Sequence, residues 1–481
     1  MIARNKRFSR HRNQEGSALI IVVVGVAVLS IIIGSVLFSV SSSYRTVAHA
    51  ANWQESLLTA ETGADFAMST LRKTLSTPTM AWDGWQSTDS NGQPLSNGMR
   101  TYQLPALNNS GGAGGNGAFV QVDAPPTLHD AAGQQWYRIR STGVAVLAGG
   151  FGVDADKTDS SLRKLNFRWD RKSGQQVTSP QASRVIEVIA RPSSFENAIV
   201  ADGRISMNSW RIEVDSYDST DPAKSTNAAY DVAKRQQNGD VATNGQIVDA
   251  GNAYIYGDVL TNAGVITGAA NITGEQRTDF YEDLLPVKTP SWSSMNSNPT
   301  YVDNTTTLAG GTKANPARYK LGWITLAGGK VLNLVPSATG VDSYIEIWVT
   351  GGINLSGNGG INIKANANVK IYVEGDVNVT GNGIINETQR PANLELFGVT
   401  PADGSSRNFT LSGNGSFTGA VYAPNDVVTL SGGGSNGNYF GSIVAKTVTM
   451  TGNTSVHYDE SLSSGDYITD YKVASWFEDN R

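Results

Sequence analysis

The 481-residue sequence has no cysteine. Disulfides, thiolate metal sites and cysteine nucleophiles are excluded together. Histidine is nearly as scarce. His11, His49, His129 and His457 are the four in the chain, little material for a metal or acid–base centre. Charged residues make up 16 % of the sequence, well below the usual quarter. The formal net charge of −5 and pI near 5.5 argue against a general nucleic-acid binder. Hydrophobic residues reach only 39 %, too few for a polytopic membrane protein. The deficit is filled by 52 glycines and by Asn, Ser and Thr. That mixture is too poor in charge for a typical disordered tail. It suits short strands punctuated by tight turns, in two or three units or one long repetitive array.

Apolar sequence is concentrated near the amino terminus. Residues 1–16 carry Arg4, Lys6, Arg7, Arg10 and Arg12 against the single acid Glu15. From Ser17 to Val40 no residue is charged. As a helix this run spans about 36 Å, enough to cross a bilayer. The basic cluster predicts a cytoplasmic amino terminus with the rest of the chain outside. A secretory signal has a shorter apolar region with its small-residue cleavage site after it. Here Gly16-Ser17 lie before the run, so a cut there leaves the apolar helix on the mature protein. Ser30-x-x-x-Gly34 offers a small-residue face for helix contact. Beyond the run, Trp53, Leu57, Ala60, Ala64, Met68, Leu71 and Leu75 recur at spacings of three and four. That stripe predicts a continuing amphipathic helix, stopped before Thr77-Pro78. The whole rod, Ser17 to about Ser76, measures about 90 Å.

Glu15-Gly16-Ser17-Ala18-Leu19-Ile20, followed by Thr59-Ala60-Glu61-Thr62-Gly63-Ala64, resembles the start of type IV pilins and pseudopilins. It is similar to the PilX-type minor pilins and to the K-type pseudopilin of type II secretion. The resemblance covers about 60 residues. It implies cleavage between Gly16 and Ser17 by a prepilin peptidase and N-methylation of Ser17. It implies an inner-membrane precursor, other pilins or pseudopilins as partners, and a mature head that is periplasmic or extracellular. Major pilins carry a glutamate at the fifth mature position, where this chain has Ile21. The departure favours a minor or tip subunit over a filament-body subunit.

From about Met80 to Pro192 the pattern turns to period two. Met99–Leu104, Ala118–Val122, Gln135–Leu147, Leu162–Trp169 and Arg184–Ala190 alternate apolar and polar residues, as half-buried strands do. A glycine- and asparagine-rich turn cluster separates the first two. A small antiparallel sheet packed on the upper half of the helix follows. His129 and Asp130 are expected in a surface loop, without chemistry.

The carboxyl half contains an internal repeat. Asn354-Leu355-Ser356-Gly357-Asn358, Asn378-Val379-Thr380-Gly381-Asn382, Thr410-Leu411-Ser412-Gly413-Asn414, Thr429-Leu430-Ser431-Gly432-Gly433 and Thr449-Met450-Thr451-Gly452-Asn453 recur. In phase with them, Gly419-Ala420-Val421-Tyr422-Ala423-Pro424 returns as Gly441-Ser442-Ile443-Val444-Ala445-Lys446. Periods near 20 with short strands predict a parallel β-helix, one coil per repeat. Asn358, Asn382, Asn414 and Asn453 are placed to form a side-chain ladder. Tyr254-Ile255-Tyr256-Gly257-Asp258-Val259 echoes Ile371–Val377, so the array is expected to begin near residue 194.

The expected organisation is an α+β pilin-like module, a long transmembrane helix with a small antiparallel sheet, followed by an all-β parallel β-helix. Its parts are a leader (1–16), a helix (17–76), a head (77–193), a β-helix (194–462) with a proline-containing excursion near 279–320, and a C-terminal cap (463–481). The second half also resembles an uncharacterised domain found behind PilX-like amino termini in bacterial envelope proteins. The residues that carry this are Ala198-Ile199, Val214–Ser219, Tyr422-Ala423-Pro424 and His457–Leu462.

Chemistry is sparse. Polysaccharide-active β-helix enzymes align acids on consecutive coils, and Asp376, Asp403, Asp426 and Asp459 fall at no matching place in adjacent repeats, so paired carboxylates for glycoside hydrolysis are not visible. Asp215, Asp218 and Asp221 lack the glycine and spacing of a calcium loop. His457 is expected to be buried against a neighbouring carboxylate. The sequence thus predicts no enzyme, no metal and no cofactor. A minor pilin carrying an adhesive or structural head is expected, with a surface glycan or host or neighbour-cell ligand as partner and no nucleic acid. The alternatives are an envelope-anchored structural β-helix outside any filament, or polymerising end to end as bactofilins do, and, third, a polysaccharide-active enzyme.

Overall fold

The computed structural model describes residues 15–76, 80–89, 92–104, 117–129, 134–146, 181–207, 209, 212–245, 247–268, 271–292, 295, 300–380, 383–413, 416–432, 437–464 and 468–479. The expected strand over 162–169 and the asparagines at 382 and 414 lie outside them. One long amino-terminal helix is followed by a large region built mostly of strands.

Helix α1 runs Glu15–Ser76 over 62 residues, about 93 Å at 1.5 Å per residue. It begins two residues before the expected Ser17, within the latitude of a helix end, and stops before Pro78. From Ile20 to Val40 its large apolar side chains are exposed. Among the described residues it is the one helix long and apolar enough to cross a membrane. Ser30 Oγ donates to the Val26 carbonyl at 2.8 Å, so this hydroxyl needs no partner outside the helix.

The second half of α1 lies on an antiparallel sheet. Its strands are β1 (Arg100–Leu104), β2 (Gly117–Asp123), β3 (Tyr137–Val146) and β4 (Gln181–Ser193), paired in chain order. Ala60, Ala64, Ala67, Met68 and Leu71 bury against Val120, Val122, Ile139, Ile186 and Val188, the faces that both periodicities predict. Small residues set the closeness of the crossing. A Cβ on Gly143 would sit 2.1 Å from the Ser56 carbonyl oxygen, and one on Gly63 2.2 Å from Ser141 Oγ. Gly63 belongs to the Thr59–Ala64 segment that carries the pilin resemblance, so that segment has a packing role here.

The sheet has a fifth strand that the sequence reading misplaced. Residues 463–481 were expected to cap the far end of the repeats. Instead Asp470–Asp479 pairs antiparallel with β4 at the edge of the head sheet. Arg72 Nε bonds Asp470 Oδ1 at 2.7 Å, and Tyr137 and Tyr471 meet edge to face at 5.5 Å. β4 would otherwise end the head sheet, and the strand covers that edge.

The remaining strands form three parallel stacks that the chain visits in turn, one rung per circuit. Ala317–Leu321, Ser343–Val349, Ala367–Val373 and Leu394–Gly398 begin the first stack. Ile324–Leu326, Ile353–Leu355, Val377–Val379 and Asn408–Gly413 begin the second. Thr306–Ala309, Val331–Val335, Gly360–Ile363 and Gly383–Asn386 begin the third. The repeats stack residue on residue: Leu355 on Val379, Leu411, Leu430 and Met450, all buried. Inward apolar side chains thus meet their equivalents above and below, the stabilising unit of a stacked array.

The spatial order of the rungs is not the chain order. The strand Ile199–Ala201 pairs on one side with Ile443–Ala445 and on the other with Val241–Thr243. Glu213–Tyr217 likewise lies between Ser455–Asp459 and Tyr254–Ile255. In space the rungs run 302 to 459 and continue from 199 to 277. The chain enters at the middle, builds outward to Arg277, returns, and starts again at the opposite end. The return segment is the expected proline-containing excursion, shortened: residues 306–309 and 317–320, assigned to it from sequence, already lie in rung strands. It runs along the outer face of the first stack. The Asn244 amide donates to the Glu282 carbonyl at 2.7 Å, Tyr422 OH to the Leu285 carbonyl at 2.9 Å, and Thr400 N to the Val287 carbonyl at 2.8 Å. Trp292 packs on Tyr372 and Trp348 at 6.1 and 6.3 Å. The echo of 371–377 at 254–259 is out of phase. Val259 lies in the first stack, whereas Val377 lies in the second.

Candidate functional site

Gly16 and Ser17, the expected processing junction, fall in the first turn of α1.

A buried polar cluster joins the two runs of rungs. His457 sits on Ser455–Asp459 and Asp215 on the adjacent Glu213–Tyr217. His457 Nδ1 and Asp215 Oδ1 are 2.6 Å apart, both buried. Tyr230 donates its hydroxyl to Asp215 Oδ2 at 2.6 Å and stacks on the imidazole at 3.8 Å. Burial, then the bond to Asp215, push the Tyr230 phenol well up, so it stays a donor. Beside them Asp459 Oδ1 accepts from the backbone N–H of Ser219 and Ser461, and burial raises its carboxyl. Glu460 accepts from Ser216 Oγ, Asn238 Nδ2 and Lys224 Nζ. The imidazole was expected against a carboxylate. The partner is Asp215, 242 residues away, and not the adjacent Asp459. Neither nearby hydroxyl is aimed at the imidazole: Ser216 donates to Glu460, and Ser219 meets Ser461. The arrangement fastens one strand to the next. Asp218 and Asp221 accept from the N–H groups two residues on, as turn aspartates do. Among the described residues no group of three or more His, Asp or Glu is placed to hold a metal.

Asp376 and Asp426 stand at different places in their repeats, as the sequence implies: Asp376 beside Asn408 and Asp426 beside Arg407. The loop 399–407, between the strands Leu394–Gly398 and Asn408–Gly413, brings Arg407 to Asp426. Asn408 N donates to Asp376 Oδ1 at 2.9 Å, Arg407 N to Asp426 Oδ1 at 2.8 Å. Burial pushes the Asp426 carboxyl up to about 6, with the Arg407 bond and charge opposing and Asp376 adding to the rise. Asp426 is wholly buried, with Oδ2 turned toward Gly398. It therefore secures a corner of the stack and is not presented to a polymer.

The outer faces of the stacks differ. On the first, Trp348, Tyr372, Phe397 and Tyr422 lie in one row, in contact with the return segment through Trp292 and Leu285. Beside them Arg318–Glu346 and Lys370–Glu395 pair across rungs at 2.7 and 3.0 Å. The second stack shows solvent a row of Thr325, Asn354, Asn378, Thr410, Thr429 and Thr449. The amides of Asn378 and Asn354 bond at 3.2 Å. Of the expected loop asparagines, 382 and 414 lie outside the described residues; the amides that bond here stand four residues earlier in the repeat. Their signal was present in the sequence as the first residue of each repeat.

Residues 294–464 match a family described as a domain of unknown function, DUF7305. The match takes in the rungs from Val302 to Asp459 and leaves those of 199–277 outside. No curated protein and no solved structure matches the chain.

Proposed function

We propose that this chain is a pilin-like minor subunit, held in the inner membrane by α1 with its amino terminus cytoplasmic. It carries the three stacks as a parallel β-helix, a contact head on the outer side. One observation carries the reading: a single helix is bare and apolar in its first half and packed on an antiparallel sheet in its second. Prepilin peptidase cuts between Gly16 and Ser17, Ser17 is N-methylated, and other pilins or pseudopilins take the exposed helix. Ile21 in place of a carboxylate suits a tip or initiating position. The rungs support contact with a surface ligand and not turnover, since the imidazole and the Asp426 carboxylate are enclosed. The alternative, an envelope β-helix outside any filament, draws support from strands that end their sheets, such as Thr306–Ala309, which leave a template for end-to-end growth.

Amino-terminal sequencing of protein purified from membranes tests the reading. A chain beginning at N-methylated Ser17 supports it. One beginning at Met1, or after residue 40, overturns it.

A further inference from the structure

We propose that the outer face of the second stack holds a carbohydrate-binding notch, built from Tyr301, Trp323, Gly352, Asn354, Asp376 and Asn378, that takes a neutral polysaccharide. The proposal rests on the contact-head reading for the exposure of this face outside the membrane, and it names the ligand.

Tyr301 and Trp323 stack at 4.9 Å with planes 12° apart. They are 47 % and 48 % exposed. On the neighbouring face the chain lays its own return segment against an aromatic row. Here an aromatic pair is left open. Trp323, Gly352 and Asp376 each precede a stacked inward residue, Ile324, Ile353 and Val377. They are therefore consecutive on the outer face, about 4.8 Å apart. Gly352 has no side chain, and a Cβ there would lie 2.6 Å from the Asp376 carbonyl oxygen. Trp323 and Asp376 are thus two rungs, about 9–10 Å, apart, and no side chain from the Gly352 rung stands between the indole on one side and the carboxylate on the other. Asn354 and Asn378, two residues further along the same face, line the gap with aligned amides.

This combination fits a sugar ring. The C–H face of a pyranose packs on indole, and its hydroxyls meet amide and carboxylate groups, an apolar platform with a few placed polar groups. Charge selects among polymers. In the two outward columns of this face the charged residues are Asp303, Asp376, Asp249 and Arg204, and Arg204 is bonded to Asp249 at 2.8 Å. Two neighbouring cations are engaged, Lys330 Nζ on the Asp303 carbonyl and Arg407 Nε on the Glu374 carbonyl, each at 3.0 Å, so an anionic polymer meets the Asp303 and Asp376 carboxylates, whereas a neutral one meets hydroxyls and amides. Thr410, Thr429 and Thr449 continue the polar row. A chain lying along the axis therefore repeats its contact at each rung, so avidity grows with polymer length.

The test is affinity electrophoresis of the full chain in detergent micelles, through gels containing dextran, hydroxyethyl cellulose, xylan or galactomannan, with polygalacturonate as the anionic comparison. At least one neutral polymer is expected to retard the protein. Trp323→Ala should weaken retardation at least tenfold and Asn378→Ala about threefold, with unchanged far-ultraviolet dichroism. Tyr254→Ala, an exposed aromatic away from this face, should leave it unaltered. Retardation by polygalacturonate alone, by no neutral polymer, or equally for Trp323→Ala and wild type overturns the proposal. None of these outcomes alters the amino-terminal sequence, so the subunit reading fails or stands separately.

Discussion

The head and the rungs bury apolar side chains by opposite means. In the head, one helix crosses one sheet, and elements far apart in the chain close it: Arg72 reaches Asp470, and the last strand lies against β4. Every element is used once. In the stacks, each strand repeats the job of its neighbours, and a rung touches only the rungs beside it. A defect in the head should therefore be felt throughout it, while a defect in a rung should stay local. The join between the two runs of rungs is the exception: one strand pairing in each stack holds it, and one of them carries the buried Asp215–His457 contact.

The sharpest way to break the comparison is at the helix crossing. Gly143→Leu drives a side chain into the Ser56 and Ala60 backbone, at 2.1 and 2.3 Å from where a Cβ would start. Backbone cannot yield as a side chain can, so the loss should exceed about 4 kcal/mol. Calorimetry should lose the head transition and keep that of the rungs. Loss of both would show that the two regions fold as one unit.

Next comes the join. Asp215→Ala leaves His457 and Tyr230 without their shared buried acceptor. The expected cost is about 3–4 kcal/mol. Limited proteolysis should then release the 302–459 rungs from those of 199–277. A rung interior should be milder: Leu355→Ala removes a buried side chain between Leu326 and Val379, costing about 2–3 kcal/mol. Hydrogen exchange should rise in the two flanking rungs and remain unchanged near Met450. Uniform acceleration along the stack would contradict local fraying.

The same contrast explains what could be read from sequence. Repetition made the rungs legible. The alignment of Leu355, Val379, Leu411, Leu430 and Met450 is the stacking itself. The helix stripe from Ala60 to Leu71 was legible for the same reason, as a period. Single events were not. Nothing in Tyr467–Phe477 distinguishes a strand that caps a solenoid from one that joins β4. Nothing local in Ile199–Ala201 says that Ile443–Ala445 will lie beside it. The Asp215–His457 pair spans 242 residues, and the bond from Arg407 N to Asp426 comes from an inserted loop that carries no repeat signal. The Trp323 notch had no signal except a tryptophan at a place where the following rungs carry Gly352, Asp376 and Asn408.

The smallest predicted effect concerns pH and separates the rungs from the head. Burial holds the Asp426 carboxyl at about 6 in the folded chain, against roughly 4 for an open aspartate. The folded state therefore binds this proton more tightly than the unfolded state. By linkage, stability is greatest below about 4 and falls as pH rises through about 6, by about 2 kcal/mol or less. Asp459, Asp240 and Glu282 are raised by burial as well, so the wild-type slope is a sum. The difference between wild type and Asp426→Asn isolates one member. The amide keeps an oxygen for the Arg407 N–H and carries no charge to bury. Asp426→Asn should match wild type near pH 4.5 and exceed it near pH 7.5 in the melting of the rungs, with the head transition unmoved. Equal stability at both pH values would mean that Asp426 titrates as an ordinary exposed acid, and the corner would then have to open in solution.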